Sequence, residues 1–432
     1  MKFGIQFTQQ LPRPWTEKSE RDLFASSLDQ VALADTLGYD YAWAVEQHFL
    51  EEYSHSSAPE IFLAAASQRT NRIRLGHGIV LMPPGYNEPV RVAERIATLD
   101  LLSGGRLDFG VGDSKSRMEL EGFGIEPSER RDMTTEALEQ VSNMLALEPF
   151  PGFTGKHFAM PARNVVPKPT QKPHPPLWMA ASDEATIQRA ARIGVGVLAH
   201  GFADASEAKR IVDEYYEIFK TECIPIGHNV NPNIAMLNPF YCNADEDDAL
   251  RIGMSAHGFG TYAVRHYYTF GRHRPGHTDI AAHWAAVREE LGGDPPIMGS
   301  HAIGTPRQLA QRMRDFSDAG IDQVVLLHQA GTMTHDQISA SLSLFASEVM
   351  PEFAETATER ARRKYAELAP YIQDALERRR QKYDAVDLCE IPSVEAYGLT
   401  REAPNTSGLP PGAQAQMATL NRMRILALRL NE

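Results

Sequence analysis

The chain has 432 residues, 43 % of them hydrophobic, and a formal charge of −13. That length accommodates one large barrel with an appendage, or two or three ordinary domains. The acidic balance does not suit nucleic acid or an anionic membrane as partner, and no apolar run approaches the ~20 residues that span a bilayer. The first residues, MKFGIQFTQQ, run straight into a strand without a charged-then-apolar leader. Three scattered cysteines, Cys223, Cys242 and Cys389, fit a reducing cytoplasm rather than a disulfide framework or a Cys-based zinc site.

Strand-like and helix-like segments then alternate. FGIQF (3–7) is followed by the helical spacing of 21–38, which Gly38 terminates. YAWAV (41–45) precedes a helix over 58–70 with Pro59 in its first turn. A glycine-interrupted strand over 73–82 leads to a helix over 89–105, and RLDFGVG (106–112) is the fourth strand. A helix over 128–147 and a Pro/Gly-rich excursion over 149–176 follow. Strands over 176–182 and 194–200 bracket the helix 183–194; a helix over 206–223, a strand over 232–242, a strand over 323–327 and a helix over 335–350 complete the series. Eight strand–helix units predict a (β/α)8 TIM barrel, with an open doubly wound sheet as the rival. Two stretches exceed a minimal barrel. One is 251–303, rich in His, Tyr, Arg and Gly, placed as a lid-like insertion near the last units. The other is a C-terminal extension over 354–432, helical in part and loop-like over 391–413.

Barrel enzymes work at the C-terminal ends of their strands. Those ends offer Gln6 and Thr8; Glu46, Gln47 and His48; His77 and Gly78; Gly112, Asp113 and Ser114; Ala181, Ser182 and Asp183; His200; and His328. A catalytic metal is disfavoured, because HxH and HExxH are absent and each histidine comes from a different strand. His328 reads as a satisfied, non-catalytic histidine. FGVGDSKS (109–116) lacks the third glycine of a dinucleotide fingerprint, but backbone N–H groups near Ser114 and Lys115 suit a phosphate, as does the helix start at AASDEAT (180–186).

The segments YDYAWAVEQHF (39–49), VLMPPGYNEPVRVAERIATLDLLSGGRLDFGVG (80–112), 176–200 and GTPRQLAQRMRDF…FASEVMPEF (304–353) resemble the bacterial luciferase-like flavin-dependent monooxygenases in order and spacing. The resemblance implies a TIM barrel over 1–353. It also implies reduced FMN supplied by a separate reductase, and oxygenation of a small organic substrate by O2 through a flavin hydroperoxide. The family's acid–His–His strand end falls on Glu46, Gln47 and His48. Gln47 stands where luciferases carry the catalytic histidine, so proton transfer passes to His48. His77–Gly78 falls on the family's non-prolyl cis peptide beneath the flavin, Gly112 near the reactive face of the ring, Ser182–Asp183 on the phosphate turn with Ala181 before it, and His200 beside the flavin. Asp113 replaces a phosphate-holding arginine, for which Lys115 or Arg117 is expected to substitute. The alternatives are an F420-dependent oxidoreductase on the same barrel and a non-catalytic flavin-binding protein. The tail, with cationic clusters at 360–364 and 378–382, is expected to wrap across the boundary of a homodimer.

Overall fold

The computed structural model describes residues 1–295, 301–382, 391–394, 396 and 408–430. The chain divides into two units, Met1–Val386 and Asp387–Glu432. The second unit contains one described helix, Pro411–Leu430. Cys389 and most of the expected loop over 391–413 lie outside the described residues.

In the first unit the strands are β1 (Lys2–Phe7), β2 (Tyr41–Ala44), β3 (Arg74–His77), β4 (Val80–Leu81), β5 (Leu107–Gly112), β6 (Phe150–Thr154), β7 (Ala159–Arg163), β8 (Leu177–Ala181), β9 (Gly196–Ala199), β10 (Ile234–Cys242), β11 (Ala302–Gly304) and β12 (Gln323–Leu327). Parallel pairing runs β1–β2–β3–β5–β8–β9–β10–β12 and returns to β1, which closes an eight-stranded barrel. The short β4 prolongs the β3 path along β5, so the glycine-interrupted expectation for 73–82 resolves into two pieces. The Pro/Gly-rich excursion holds an antiparallel hairpin, β6–β7. A third addition, β11, extends the sheet beside β10.

The helices are α1 (Ser19–Leu37), α2 (Pro59–Ser67), α3 (Pro89–Leu102), α4 (Arg117–Gly122), α5 (Arg130–Ala146), α6 (Glu184–Arg192), α7 (Ala205–Glu222), α8 (Glu246–Arg265), α9 (Ile280–Leu291), α10 (Pro306–Asp318), α11 (His335–Glu348) and α12 (Met350–Lys382). Their ends follow local chemistry. Gly38 ends α1 with φ 99°, a left-handed conformation that costs glycine little. Thr334 and Gln337 form a reciprocal capping box at α11, with bonds of 2.9 and 3.2 Å.

Period-two alternation sorts the strand side chains into two layers. Phe3, Ile5, Leu75, Phe109 and Val197 face the helices, where they join the main core. Tyr41, Trp43, Trp178, Leu198, Leu237 and Val325 fill the barrel interior. Trp43 and Trp178 meet edge to face, centroids 5.4 Å apart. They fit because the adjacent strands carry glycine. A Cβ on Gly76 would lie 2.1 Å from the Trp43 ring, and one on Gly196 would lie 2.6 Å from Trp178.

The expected boundary at 353/354 falls inside α12, which continues unbroken to Lys382. This helix lies on its own barrel: Leu368 and Ala375 are buried, and Lys364 Nζ reaches Asp322 Oδ1 at 2.6 Å. The cationic cluster expected to reach a neighbour is therefore held, at Lys364, by the same chain.

Candidate active site

At the C-terminal end of β2 the chain leaves the sheet and turns, with Phe49 at φ 64°. Glu46 is buried, 5 % exposed. Its Oε2 accepts the Leu81 N–H at 2.7 Å; its Oε1 accepts the Asn87 amide at 2.9 Å and lies 3.0 Å from His48 Nε2. A buried carboxylate with those neutral donors is an acceptor throughout, so the His48 tautomer it favours carries hydrogen on Nε2. Nδ1 is then the basic atom. The imidazole packs against Tyr86 (6.2 Å, near parallel) and Phe123 (4.9 Å).

Glu119, on α4, completes the arrangement, and sequence reasoning missed it. It is fully buried. Its Oε1 accepts the His48 backbone N–H at 2.8 Å and its Oε2 the Ser114 hydroxyl at 2.5 Å. Ser114 adopts φ 54°, the left-handed turn that aims this hydroxyl inward. Burial pushes the Glu119 carboxyl above the usual range, against the Ser114 and His48 hydrogen bonds. The Tyr268 hydroxyl stands 3.2 Å from Gln47 Oε1 and 3.5 Å from Glu119 Oε2. One carboxylate thus joins the ends of two strands to the segment above them.

That segment is the expected lid. It consists of α8, a π-helical turn at His266–Phe270 and α9. Residues 296–300 lie outside the described residues. Phe259, Tyr267, Ile280 and Trp284 pack on Leu50 as a cluster separate from the barrel core. Two carboxylates of the β2–α2 loop latch it: Glu52 accepts the Ile280 and Ala281 N–H groups at 2.6 and 3.1 Å, and Glu51 accepts the Gly276 N–H at 2.7 Å.

A cleft of about 170 Å³ opens beside these groups, lined by Gln47, Ile79, Leu81, Gly112, Met179, Ala180, His200 and Tyr268 and by Asp113, Lys115, Arg131, Thr134, Ser182 and Arg189. A Cβ on Gly112 would lie 2.7 Å from Ile79 Cδ1, so a side chain there would displace the Ile79 tip. Lys115 Nζ lies 2.5 Å from Ser182 Oγ and 3.1 Å from Asp183 Oδ2. Asp183 caps α6, with Oδ1 on the Thr186 hydroxyl at 2.6 Å and on its N–H at 2.9 Å; the hydroxyl bond chiefly holds its carboxyl down at about 2.

Several expected residues stand elsewhere than anticipated. Among the described residues four peptide bonds are cis, all before proline, and His77–Gly78 is trans. The Gly78 N–H continues the ladder to Ala44 O at 2.8 Å, which holds this bond in register. The His77 side chain faces the helix layer, in a recess with Glu60 and Arg95, and burial lowers its imidazole to about 4. Ala181 also faces outward, and its neighbour Ala180 lines the cleft instead. Arg117 pairs with Glu121 at 2.6 Å on the surface, so of the two expected substitutes only Lys115 reaches the cleft. Asp113 pairs with Arg130 at 3.6 Å. The other cations of the cleft come from α5 (Arg131) and α6 (Arg189): the adjacent arginines in SERR (128–131) were the available signal for the first. His328 is buried against Phe7, 3.3 Å from Gln30 Oε1, and burial lowers it to about 3.

Among the described residues no group of His, Cys, Asp and Glu could hold a metal ion, and no helix is long and apolar enough to cross a membrane.

An uncharacterized protein of Sinorhizobium fredii is 33 % identical over 196 residues, which are 44 % of this chain and 54 % of that protein, so this match spans about half of the relative. The oxygenase component of a flavin-dependent trigonelline monooxygenase from Acinetobacter baylyi is 24 % identical over 80 % of this chain and 94 % of its own. Among solved structures, monooxygenase RslO1 of Streptomyces bottropensis superposes with TM-score 0.66 at 26 % identity, covering 82 % of this chain and all of that one. Two more share the fold at lower identity, each over 81 % of this chain and 98 % of theirs. One is a type II Baeyer–Villiger monooxygenase of Pseudomonas putida with FMN (TM-score 0.64, 18 %), the other an F420-dependent secondary alcohol dehydrogenase (TM-score 0.61, 19 %). Residues 1–323 match the luciferase-like monooxygenase pattern, and the chain belongs to that family.

Proposed function

We propose that this protein is the oxygenase component of a two-component monooxygenase, which takes reduced FMN from a separate reductase and uses O2 to oxygenate a small organic substrate. The observation that carries the reading is one cleft lined both by apolar side chains and by three cations, Lys115, Arg131 and Arg189, with Asp113 as the acidic residue among them. Lys115, Ser182, Arg131 and Arg189 would hold the phosphate. Ile79, Leu81, Met179, Ala180 and His200 would hold the ring. The buried Thr134 hydroxyl, which has no partner among the described residues, lines the same cleft and would supply one more donor. The Lys115–Asp183 pair is exposed and worth at most about 1 kcal/mol, so a phosphate dianion displaces it readily. Bound reduced flavin supplies the electrons that activate O2 for transfer of one oxygen atom to the substrate. The protein supplies the rest. Glu46 orients His48 so that Nδ1 takes or returns a proton, Gln47 and Tyr268 offer neutral hydrogen bonds, and the latched lid excludes water.

The F420 reading draws on the fold likeness alone. Anaerobic titration of the purified protein with reduced FMN and with reduced F420, followed by admission of O2, separates the readings. Saturable binding of reduced FMN and O2-dependent product support the proposal. Binding of F420 in place of FMN overturns it, and FMN binding without turnover of any substrate leaves a non-catalytic flavin carrier.

A further inference from the structure

Helix α12 extends the chain past the barrel and crosses the N-terminal ends of the strands, opposite the flavin cleft. There it walls a cavity of about 250 Å³. Four cations line it, Lys2, Arg74, Arg360 and Lys364, against two carboxylates, Asp108 and Asp322. Two of the cations are neutralised in place: Arg74 Nε lies 2.5 Å from Asp108, and Lys364 Nζ 2.6 Å from Asp322. The other two have no carboxylate at ion-pair distance among the described residues. Lys2 Nζ reaches the Tyr41 hydroxyl at 3.4 Å, and Arg360 donates to Ser317 Oγ and, at 3.4 Å, to Ile321 O. Asp40, behind Lys2 and outside the lining, accepts the Phe3 N–H at 2.9 Å and offsets part of the Lys2 charge.

The inner end of the cavity is incomplete in a second way. Gln323 is 2 % exposed, and neither its amide nitrogen nor its oxygen has a partner among the described residues. The Trp43 indole N–H, wholly buried, has none either. Both approach the gap left by Gly4, whose Cβ position is 2.5 Å from Gln323 Nε2 and 3.2 Å from Trp43 Nε1. Leaving such groups unpaired in the interior is unfavourable. Water would satisfy the hydrogen bonds but not the surplus positive charge.

We propose that this cavity is a second ligand site, for a small oxyanion of two negative charges, with Lys2 and Arg360 as counter-charges and the Gln323 amide as donor. Its chemistry is shared by inorganic phosphate and short dicarboxylates. The site is independent of the flavin reading, since it lies at the other end of the barrel and draws two of its cations from the extension.

The test is calorimetric titration of the full chain with phosphate and, separately, with succinate. Each is repeated in Lys115→Ala, which removes the candidate phosphate site at the mouth. The expected result is one anion per Lys115→Ala chain, weakened tenfold or more when Arg360→Gln is added; any second phosphate bound by the unaltered chain is the one lost with Lys115→Ala. Lys2→Met serves as a second variant should Arg360→Gln lower the melting temperature in anion-free buffer. Binding of phosphate alone, succinate alone or both supports the site and identifies the geometry it prefers. No heat from either anion at millimolar concentration, or binding that disappears with Lys115→Ala and ignores Arg360→Gln and Lys2→Met, overturns it and leaves a cavity filled with water.

Discussion

At the N-terminal end of the barrel the buried carboxylate Asp108 is matched to a cation, Arg74, and to the Trp178 indole N–H at 2.8 Å. At the C-terminal end the buried carboxylates Glu46 and Glu119 have no lysine or arginine at ion-pair distance among the described residues and accept from backbone N–H groups, an amide, hydroxyls and one imidazole. Backbone strain divides the same way: the described non-glycine residues in the left-handed region, Gln9, Phe49 and Ser114, follow β1, β2 and β5 at the mouth. At the N-terminal end this barrel carboxylate is compensated by a cation; the C-terminal end brings its carboxylates together with residues held at a conformational cost, as expected of a working site.

The sharpest way to break this contrast is at His48. His48→Ala should lower turnover about 10²-fold or more while reduced FMN still binds. Unchanged product formation would remove His48 from the chemistry. At the opposite end, Arg74→Met strands Asp108 and should cost about 3–5 kcal/mol in urea unfolding, with turnover per folded molecule preserved. A loss below about 1 kcal/mol would show that Asp108 does not depend on its partner.

A third prediction separates buried bases from working ones. His77 is neutral in the fold, with its imidazole near 4 against an unfolded value of 6.5. The unfolded chain therefore binds the proton first as pH falls. The contribution of His77 is complete above 6.5, is lost between 6.5 and about 4, and is flat below that. His77→Asn should flatten the acid limb of the stability curve by about 3 kcal/mol across that window. An unaltered slope would mean that His77 protonates freely in the native state. The smallest effect is expected at the lid: Tyr268→Phe removes one hydroxyl shared by Gln47 and Glu119, and product formed per O2 consumed should fall several-fold with flavin affinity unchanged. Unchanged coupling would place Tyr268 in packing alone.

The sequence carried the barrel well because strand alternation, glycine stops and capping residues are local signals. The eight predicted strands lie over the eight observed barrel strands to within a few residues. What it did not carry depends on contacts between distant segments. Glu119 meets the His48 N–H across 71 positions, and Tyr268 meets Gln47 across 221. The resemblance placed His77 and Ala181 at the cofactor, but strand register turns both side chains toward the helices. The hairpin β6–β7 was hidden in a Pro/Gly-rich stretch whose composition reads as loop. The boundary at 353/354 followed the end of a family resemblance, and helix formation in the chain does not stop there.

The contrast between the two ends is tested most directly by equilibrium binding of reduced FMN, without O2, to one variant from each end. Lys115→Ala at the mouth should weaken binding tenfold or more, and Arg360→Gln beneath the barrel should leave it unchanged. Equal affinities in the two variants, or a loss confined to Arg360→Gln, would contradict the placement of the flavin phosphate at the C-terminal mouth.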